Sequence, residues 1–466
     1  MVKNNILDYE QAEDKMQSIA QNRIIKELEP LASTTFGLPI RHFTVGNGSK
    51  DIVITGTTHG SEIISADFVI KLMDDIDKNA TNWEQVLDNF KIHFVPILNP
   101  EGYLISTSAI RKLIPEDMPQ DEAEKICKEY YKIYRSDTTD PDLENNLKRH
   151  QTFFEGIDYN CIPDKYERIK NKVKDILEKY PDLPKWCLHI WSSNANGIDI
   201  QANSKFNPQI KQILNGESLY MKPVRFNNID VSHPGPLNCP FDKDSTGEFK
   251  IEPETQAISN LLEELHSQDK LFAYLNYHST GGMIFQRPAT PPEELNISQD
   301  DIAKKEIQNY MFARLYSHKT YKNRGIDEDG IDKKEKTPYT IQKGKENTTS
   351  SNDLFRLLYP QDLLIELSPM GGNPIAPYGD LDGNYANSIN SNLDAVKHTL
   401  KTAGSIKMIS ENFYKNIQCL KDKGDYEQVT SALDMIYNEF SRRFNTNETV
   451  KTNNLNRKDT SEENER

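Results

Sequence analysis

Two side chains able to bind a metal stand three residues apart in the stretch GTTHGSE: His59 and Glu62, with DIVIT before them and IISADFVIKLM after. On a short turn the HxxE spacing brings both side chains to one side, so that an imidazole nitrogen and a carboxylate oxygen can meet a single ion. By itself the spacing is a weak signal in a chain with ten histidines. It gains weight because two other apolar runs also end in a functional side chain, LFAYLNYH at His278 and DLLIE at Glu366, and a further run, KIHFVPILN, stops at Asn99. Two imidazoles and a carboxylate make the three-ligand set of a catalytic zinc centre, which keeps a fourth position open for water. Such a centre also needs a base that takes a proton and returns it to a leaving amine. Glu366 lies among Leu363, Leu364, Ile365 and Leu367, and partial desolvation raises a carboxylate's pKa towards the range such a base needs. The expectation is therefore one Zn2+ per chain held by His59, Glu62 and His278, with Glu366 as general base. His93, inside KIHFVPIL, reads as a core or sheet-face histidine. His42, His150, His189, His233, His266, His318 and His398 have no acidic partner at ligand spacing and read as structural or surface residues.

These groups have to be gathered by the elements that carry them. RHFTV, DIVIT, KIHFVPIL, LFAYLNYHST and DLLIELS read as strands, and IISADFVIKLMDDI, with Ser61 as its cap, reads as a helix. TQAISNLLEELHSQ and residues 385–402 read as further helices, and residues 1–35 as a helical lead-in. Strands alternating with helices, with apolar strands buried on both faces, imply an α/β protein with a mainly parallel or mixed sheet. In such a sheet the carboxyl ends of the strands share one edge, where open α/β sheets keep their chemistry. From about Ile114 to Lys185 the character changes to charged helices around a polar loop, an expected helical insertion, after which WCLHIW and GIDIQ read as a return to the β-rich pattern. Residues 1–404 form the expected catalytic domain, 405–444 a helical extension and 445–466 a disordered polar tail.

The formal charge of −15 offers no basic patch to a phosphate backbone, so nucleic acid is excluded as a partner. No run approaches the roughly 18 apolar residues of a membrane span, and MVKNNILDYEQAEDKMQ lacks the apolar core of a signal peptide. Five scattered cysteines without a CxxC pair suggest neither a disulfide framework nor a structural zinc knuckle. A cytoplasmic protein is expected. The oligomeric state is left open.

In the order GTTHGSE, NPEGY, GIDIQAN, EPETQAI, NYHSTGG and LLIELSP, over about residues 35–400, the chain resembles the zinc carboxypeptidases, the carboxypeptidase A-like metallopeptidases. The resemblance implies a single α/β domain with a mixed, roughly eight-stranded sheet flanked by helices. It implies the same zinc ligands, His59, Glu62 and His278, and the same base, Glu366. It further implies an arginine beyond the NPEGY turn that polarises the scissile carbonyl, for which Arg111 is the nearest candidate, and a tyrosine that closes over the substrate, for which Tyr339 is the candidate.

The chain also departs from that pattern. Where the family reads GVDLNRN and grips a C-terminal carboxylate, GIDIQAN places Gln201, Ala202 and Asn203. Gln201 and Asn203 are then candidate substrate contacts, but neither copies an arginine's bidentate fork. Either another cation, Arg225 or Arg287, takes over, or the substrate lacks a free carboxylate there. The expected function is hydrolysis of a peptide or isopeptide bond, with a peptide or peptidoglycan-derived substrate. The alternatives are a murein stem-peptide peptidase acting between D-glutamate and a diamino acid, an aspartoacylase-like deacylase, and a non-catalytic peptide-binding module. The helical insertion is expected either to wall the cleft or to be a peripheral decoration.

Overall fold

Runs rich in β-branched and aromatic residues, bounded by glycine, proline or asparagine, become the strands of one sheet. The computed structural model describes residues 2–421 outside the segments 22–23, 138–142, 180, 182–183, 202, 204–223, 227–228, 232–241, 244–248, 280, 287–298, 321, 324–335, 344–360, 368–374, 376–377 and 379–383. In chain order the strands are β1 (Lys26–Ser33), β2 (Pro39–Val45), β3 (Lys50–Thr55), β4 (Phe90–Val95), β5 (Val224–Phe226), β6 (Ile229–Val231), β7 (Asp242–Lys243), β8 (Phe249–Lys250), β9 (Leu271–Ser279), β10 (Met283–Gln286), β11 (Lys322–Asn323), β12 (Lys336–Thr337), β13 (Thr340–Lys343) and β14 (Gln361–Leu367). Eight of them form a mixed sheet in the order β1-β2-β4-β3-β9-β14-β10-β13, and the others pair as three two-stranded ribbons. The four central strands, β4, β3, β9 and β14, run parallel to one another. Their carboxyl ends therefore open on the same edge. The helices are α1 (Val2–Asn5), α2 (Tyr9–Ala20), α3 (Ile63–Lys78), α4 (Ala80–Asn89), α5 (Pro100–Leu113), α6 (Gln120–Asp137), α7 (Leu143–Phe153), α8 (Glu167–Lys179), α9 (Pro253–Ser267), α10 (Gln299–Lys319) and α11 (Asn384–Lys421). The chain divides into two compact units, Met1–Lys401 and Thr402–Arg466. Among the described residues no helix is long and apolar enough to cross a membrane.

Side chains two apart on a strand share a face, and both faces of the central strands are covered. On one face Val53, Val95 and Tyr274 pack against Ala257, Ile258, Leu261, Leu262 and Leu265 of α9. On the other, Tyr277 meets Phe68 of α3 and hydrogen-bonds Tyr316 of α10 at 2.8 Å.

The sequence reading is corrected at several points. Residues 26–33, expected to continue a helical lead-in, are the edge strand β1. Helix α2 stops at Ala20, and the charged run KELEPLAS pairs with β2 on one side only, with a bulge between Leu28 and Ala32 that accommodates Pro30. WCLHIW is not a strand: Lys185–Ile190 is a 3-10 helix, because Trp186, Cys187, Leu188 and His189 bury all round rather than on alternate faces. The helix expected at 385–402 continues to Lys421. In the 114–185 segment, the turn before α8 meets the N-terminal helix through Lys165–Glu10 at 2.5 Å and Tyr166–Tyr9, and His150 of α7 stacks on Trp186.

Tyr339 is also corrected. It is 2% exposed, and its hydroxyl accepts from Asn392 Nδ2 at 3.0 Å, in a buried chain that runs on through Tyr316 to Tyr277. The structure places this side chain in the helical layer. Asn392 Oδ1 and Nδ2 are both committed to tyrosine hydroxyls, so Tyr339→Phe leaves an amide proton short of an acceptor. Urea unfolding should show a loss of about 1–2 kcal/mol, with kcat and KM unchanged.

Across three adjacent strands, His42 of β2, His93 of β4 and Asp51 of β3 form a buried relay: His42 Nε2 to His93 Nδ1 at 2.9 Å, and His93 Nε2 to Asp51 Oδ1 at 2.9 Å. The aspartate accepts, so His93 carries its proton on Nε2 and His42 donates to its Nδ1. Burial first, then His93 and Lys91, push the His42 pKa down to about 3. A histidine depressed in the folded state binds its proton more readily unfolded, so stability is present above about pH 6.5 and is lost as pH falls towards 3. His42→Gln keeps a donor to His93 and removes the titration. The stability lost between pH 7 and pH 5, measured by urea unfolding, should shrink by about 1–2 kcal/mol.

Candidate active site

Beyond Thr55 the backbone leaves strand geometry, because Thr57 adopts φ 50, a left-handed conformation that a non-glycine residue holds only when its surroundings enforce it. Here they do. Thr57 N donates to Ser65 Oγ at 2.8 Å, and Asn99 N donates to Thr57 O at 3.0 Å. Asn99 caps α5 by accepting from Gly102 N at 2.9 Å, and its amide reaches Thr58 O and Ser192 O, each at 3.3 Å. Gly60 then passes so close to α5 that a Cβ would meet Gly102 C at 2.2 Å, and Gly60 N donates to Ser192 O at 2.9 Å. The glycine of HGSE is thus required by close approach. The first residue of the following cap is Glu62 rather than the expected Ser61, and its side chain makes no capping bond. The carboxylate is free to turn towards the imidazoles.

His59 Nδ1 lies 2.9 Å from Glu62 Oε1, and His278 Nδ1 lies 2.9 Å from Glu62 Oε2. Glu62 Oε2 and, separately, His278 Nε2 on the far side of its ring are buried without a hydrogen-bond partner. The two imidazole rings are 4.9 Å apart between centroids at 67°. His59, Glu62 and His278 each offer one ligand atom, all within 4.8 Å of one another, and form the one such group among the described residues. His278 is 1% exposed, whereas His59 and Glu62 retain 22% and 14%, so the site opens on the side of the turn. Burial disfavours the charged form of Glu62, but the two imidazoles outweigh it and hold the carboxyl at about 2. Burial acts against the His59 cation, yet Glu62 and Asp199 raise its pKa well above the ordinary value. An orphaned carboxylate oxygen between two inward-facing imidazoles fits a divalent cation, and the donor set fits a zinc centre with one position open.

Glu366 arrives from β14, which runs parallel to β9 with Glu366 directly beside His278 and puts both side chains on one face. On its other side Met283 of β10 pairs with Glu366, and Gly281 N donates to Leu367 O at 3.1 Å. Gly281 adopts φ 156, a conformation that side-chain-bearing residues rarely take, and a Cβ there would lie 3.8 Å from Glu366 Cβ. Glu366 Oε2 is buried and unpartnered. Burial, then the nearby Glu62 carboxylate, push the Glu366 carboxyl well above the usual range, with His59 opposing.

Not every expected residue joins this group. Arg111 sits nine residues along α5 from Gly102, about 13 Å at the helical rise, and is turned away. Its guanidinium bonds Ile6 O, Lys3 O at 3.4 Å and Gln11 Oε1 at 2.5 Å, and pairs with Asp8 at 3.4 Å. It anchors the N-terminal segment, which corrects its expected role at the carbonyl. Asn203 is likewise corrected: it is fully buried, donates to Lys250 O at 3.1 Å and accepts from Glu252 N at 2.7 Å, so its amide is spent on joining β8 to α9. Gln201 lies in the turn beside the site and donates its backbone N–H to Asp199 Oδ1 at 3.0 Å. Arg225 is on β5, with its side chain outside the description, and Arg287 lies outside the described residues. Asp199 is the residue that the reading missed. Its Oδ1 is 3.5 Å from His59 Nε2, the outer nitrogen of the ring. Its available signal was a lone acid between Ile198 and Ile200, both buried, in GIDIQ.

The sequence profile of the zinc carboxypeptidase family matches residues 13–354, a span that includes His59, Glu62 and His278 and ends before Glu366. No curated protein sequence matches the chain. Among solved structures the chain is similar to bovine thrombin-activatable fibrinolysis inhibitor in complex with tick carboxypeptidase inhibitor, at 12% identity over 86% of this chain and 97% of that one, TM-score 0.45. It is similar to the carboxypeptidase A of Helicoverpa armigera, at 13% identity over 84% and 73%, TM-score 0.40. The metallo-carboxypeptidase of Burkholderia cenocepacia gives 12% identity over 84% and 69%, TM-score 0.38. On the profile match over most of its length, the chain belongs to the zinc carboxypeptidase family and is a zinc metallopeptidase.

Proposed function

We propose that His59, Glu62 and His278 hold the zinc ion and that Glu366 is the general base for hydrolysis of a peptide or isopeptide bond. The observation that carries this reading is the in-register pair Glu366–His278 on adjacent parallel strands, which sets a buried carboxyl beside the three donor groups. Zinc bound there supplies a Lewis acid and lowers the pKa of a water to near 7. The upward shift of Glu366 suits a group that takes a proton from water and passes it to the departing amine. Asp199 Oδ1, 3.5 Å from His59 Nε2, is placed to favour a proton on that outer nitrogen, which would leave Nδ1 to face a bound ion.

The substrate is proposed to be a peptide recognised without an arginine fork on its C-terminal carboxylate. Gln201 and Ala202 occupy the positions of that grip in the sequence, and Asn203 is committed to backbone groups. Stem peptides of murein belong to the same substrate class. A cytoplasmic setting is proposed from five scattered cysteines without a CxxC pair.

Glu366→Gln should retain zinc, measured by elemental analysis, and lose about 10²–10⁴-fold in kcat; wild-type turnover would remove Glu366 as the base. His278→Ala should lose stoichiometric zinc, because two ligands make a poor site. For specificity, mass spectrometry of a panel of peptides and murein fragments should show free-acid and C-terminally amidated versions cleaved within about tenfold of each other, an energy difference near 1.4 kcal/mol. A strict need for the free acid would point to a cation taking the missing arginine's place. Full zinc without turnover of any panel member would favour a binding module.

A further inference from the structure

The ladder between β3 and β9 ends at the pair Thr55–Asn276. Beyond it β9 runs straight on to His278, while the other chain turns through Thr57 at φ 50 to Thr58 and His59. A side chain spans the gap. Asn276 Oδ1 accepts from Thr55 Oγ1 at 2.9 Å and from Thr58 Oγ1 at 3.1 Å. Thr55 Oγ1 gives its one proton to Asn276, so at 2.8 Å it accepts from the Tyr274 hydroxyl. Asn276 and Tyr274 are each 1% exposed, Thr55 is fully buried and Thr58 is 3% exposed, so these bonds form where water does not compete. Asn276 precedes His278 by two residues on the same face, and Thr58 directly precedes His59.

We propose that Asn276, through the Thr58 hydroxyl, is a positioning residue that sets the separation of the His59 and His278 imidazoles for metal binding. This inference rests on the reading that those histidines hold the zinc. The amide oxygen continues the ladder one step past its last backbone pair, and it does so where the backbone has turned away and can no longer hold the two strands in register. Both imidazoles then sit on one rigid hydrogen-bonded frame, and the ion does not have to pull them together on binding. Loss of an outer-shell partner of this kind lowers metal affinity.

The test uses the full chain with Thr58→Val, which removes the hydroxyl at nearly constant volume, and Thr58→Ser, which restores it. Zinc affinity is measured by competition with a chromophoric chelator, and the thermal midpoint is measured on each metal-free protein. Thr58→Val should weaken zinc binding about 10- to 100-fold and Thr58→Ser should recover to within about threefold of wild type, with both metal-free midpoints close to the parent's. Wild-type affinity in Thr58→Val, equal weakness in Thr58→Ser, or a collapse of the metal-free Thr58→Val midpoint would each overturn the proposal. His278→Ala is run in parallel. If it keeps wild-type affinity, the site itself is elsewhere and the inference falls with it. If it loses zinc while Thr58→Val does not, the clamp alone is wrong.

Discussion

The register between β9 and its two parallel neighbours is the constraint on which everything else rests. Because side chains alternate at every residue, a slip of one position between β9 and β14 would turn Glu366 away from His278 and into the helical layer. The same slip between β3 and β9 would separate Asn276 from Thr55. Parallel strands gain this register from burial on both faces: the Val53–Tyr274 face fits α9, and the Tyr277 face fits α3 and α10. A slipped strand would push Tyr274 and Tyr277 into the wrong layers at once. The core packing and the site geometry are therefore one specification.

The electrostatics follow from that geometry. Two carboxyls and two imidazoles share a pocket, and their environments drive them apart. Glu62 lies between the imidazoles and is held as an anion, while Glu366 has burial and the Glu62 charge against ionisation. The two carboxyls are pushed in opposite directions, although they belong to the same residue type. Such a split in the fates of neighbouring groups is a recurrent mark of catalytic sites. A separate file of buried polar groups, Asp51, His93 and His42, ties three adjacent strands together.

Two arms of the expected machinery serve the fold here. The Arg111 guanidinium fastens the N-terminal segment to α5, and Tyr339 closes a tyrosine–asparagine chain between the sheet and α11. In both cases the side chain was assigned from its order along the chain, and order does not determine which way a residue faces on a helix or at a strand start. The metal group was less exposed to that error. His59 and Glu62 are neighbours through a local turn, and His278 and Glu366 each end a strongly apolar strand.

By itself the sequence determined several strands of the central sheet, the α/β class, and the identity of three groups able to hold a metal ion, because apolar alternation and turn residues are local signals. It misread KELEPLAS as helix and WCLHIW as strand, since an edge strand and a short buried 3-10 turn owe their form to what packs on them rather than to their own periodicity. Only the tertiary structure decided that Asp199 backs His59, that Asn276 joins the two histidine segments, and that Asn203 and Arg111 face elsewhere. Each of those depends on contacts between residues dozens to hundreds of positions apart, on side-chain direction, and on burial. These are properties of the packed chain that no stretch of sequence carries alone.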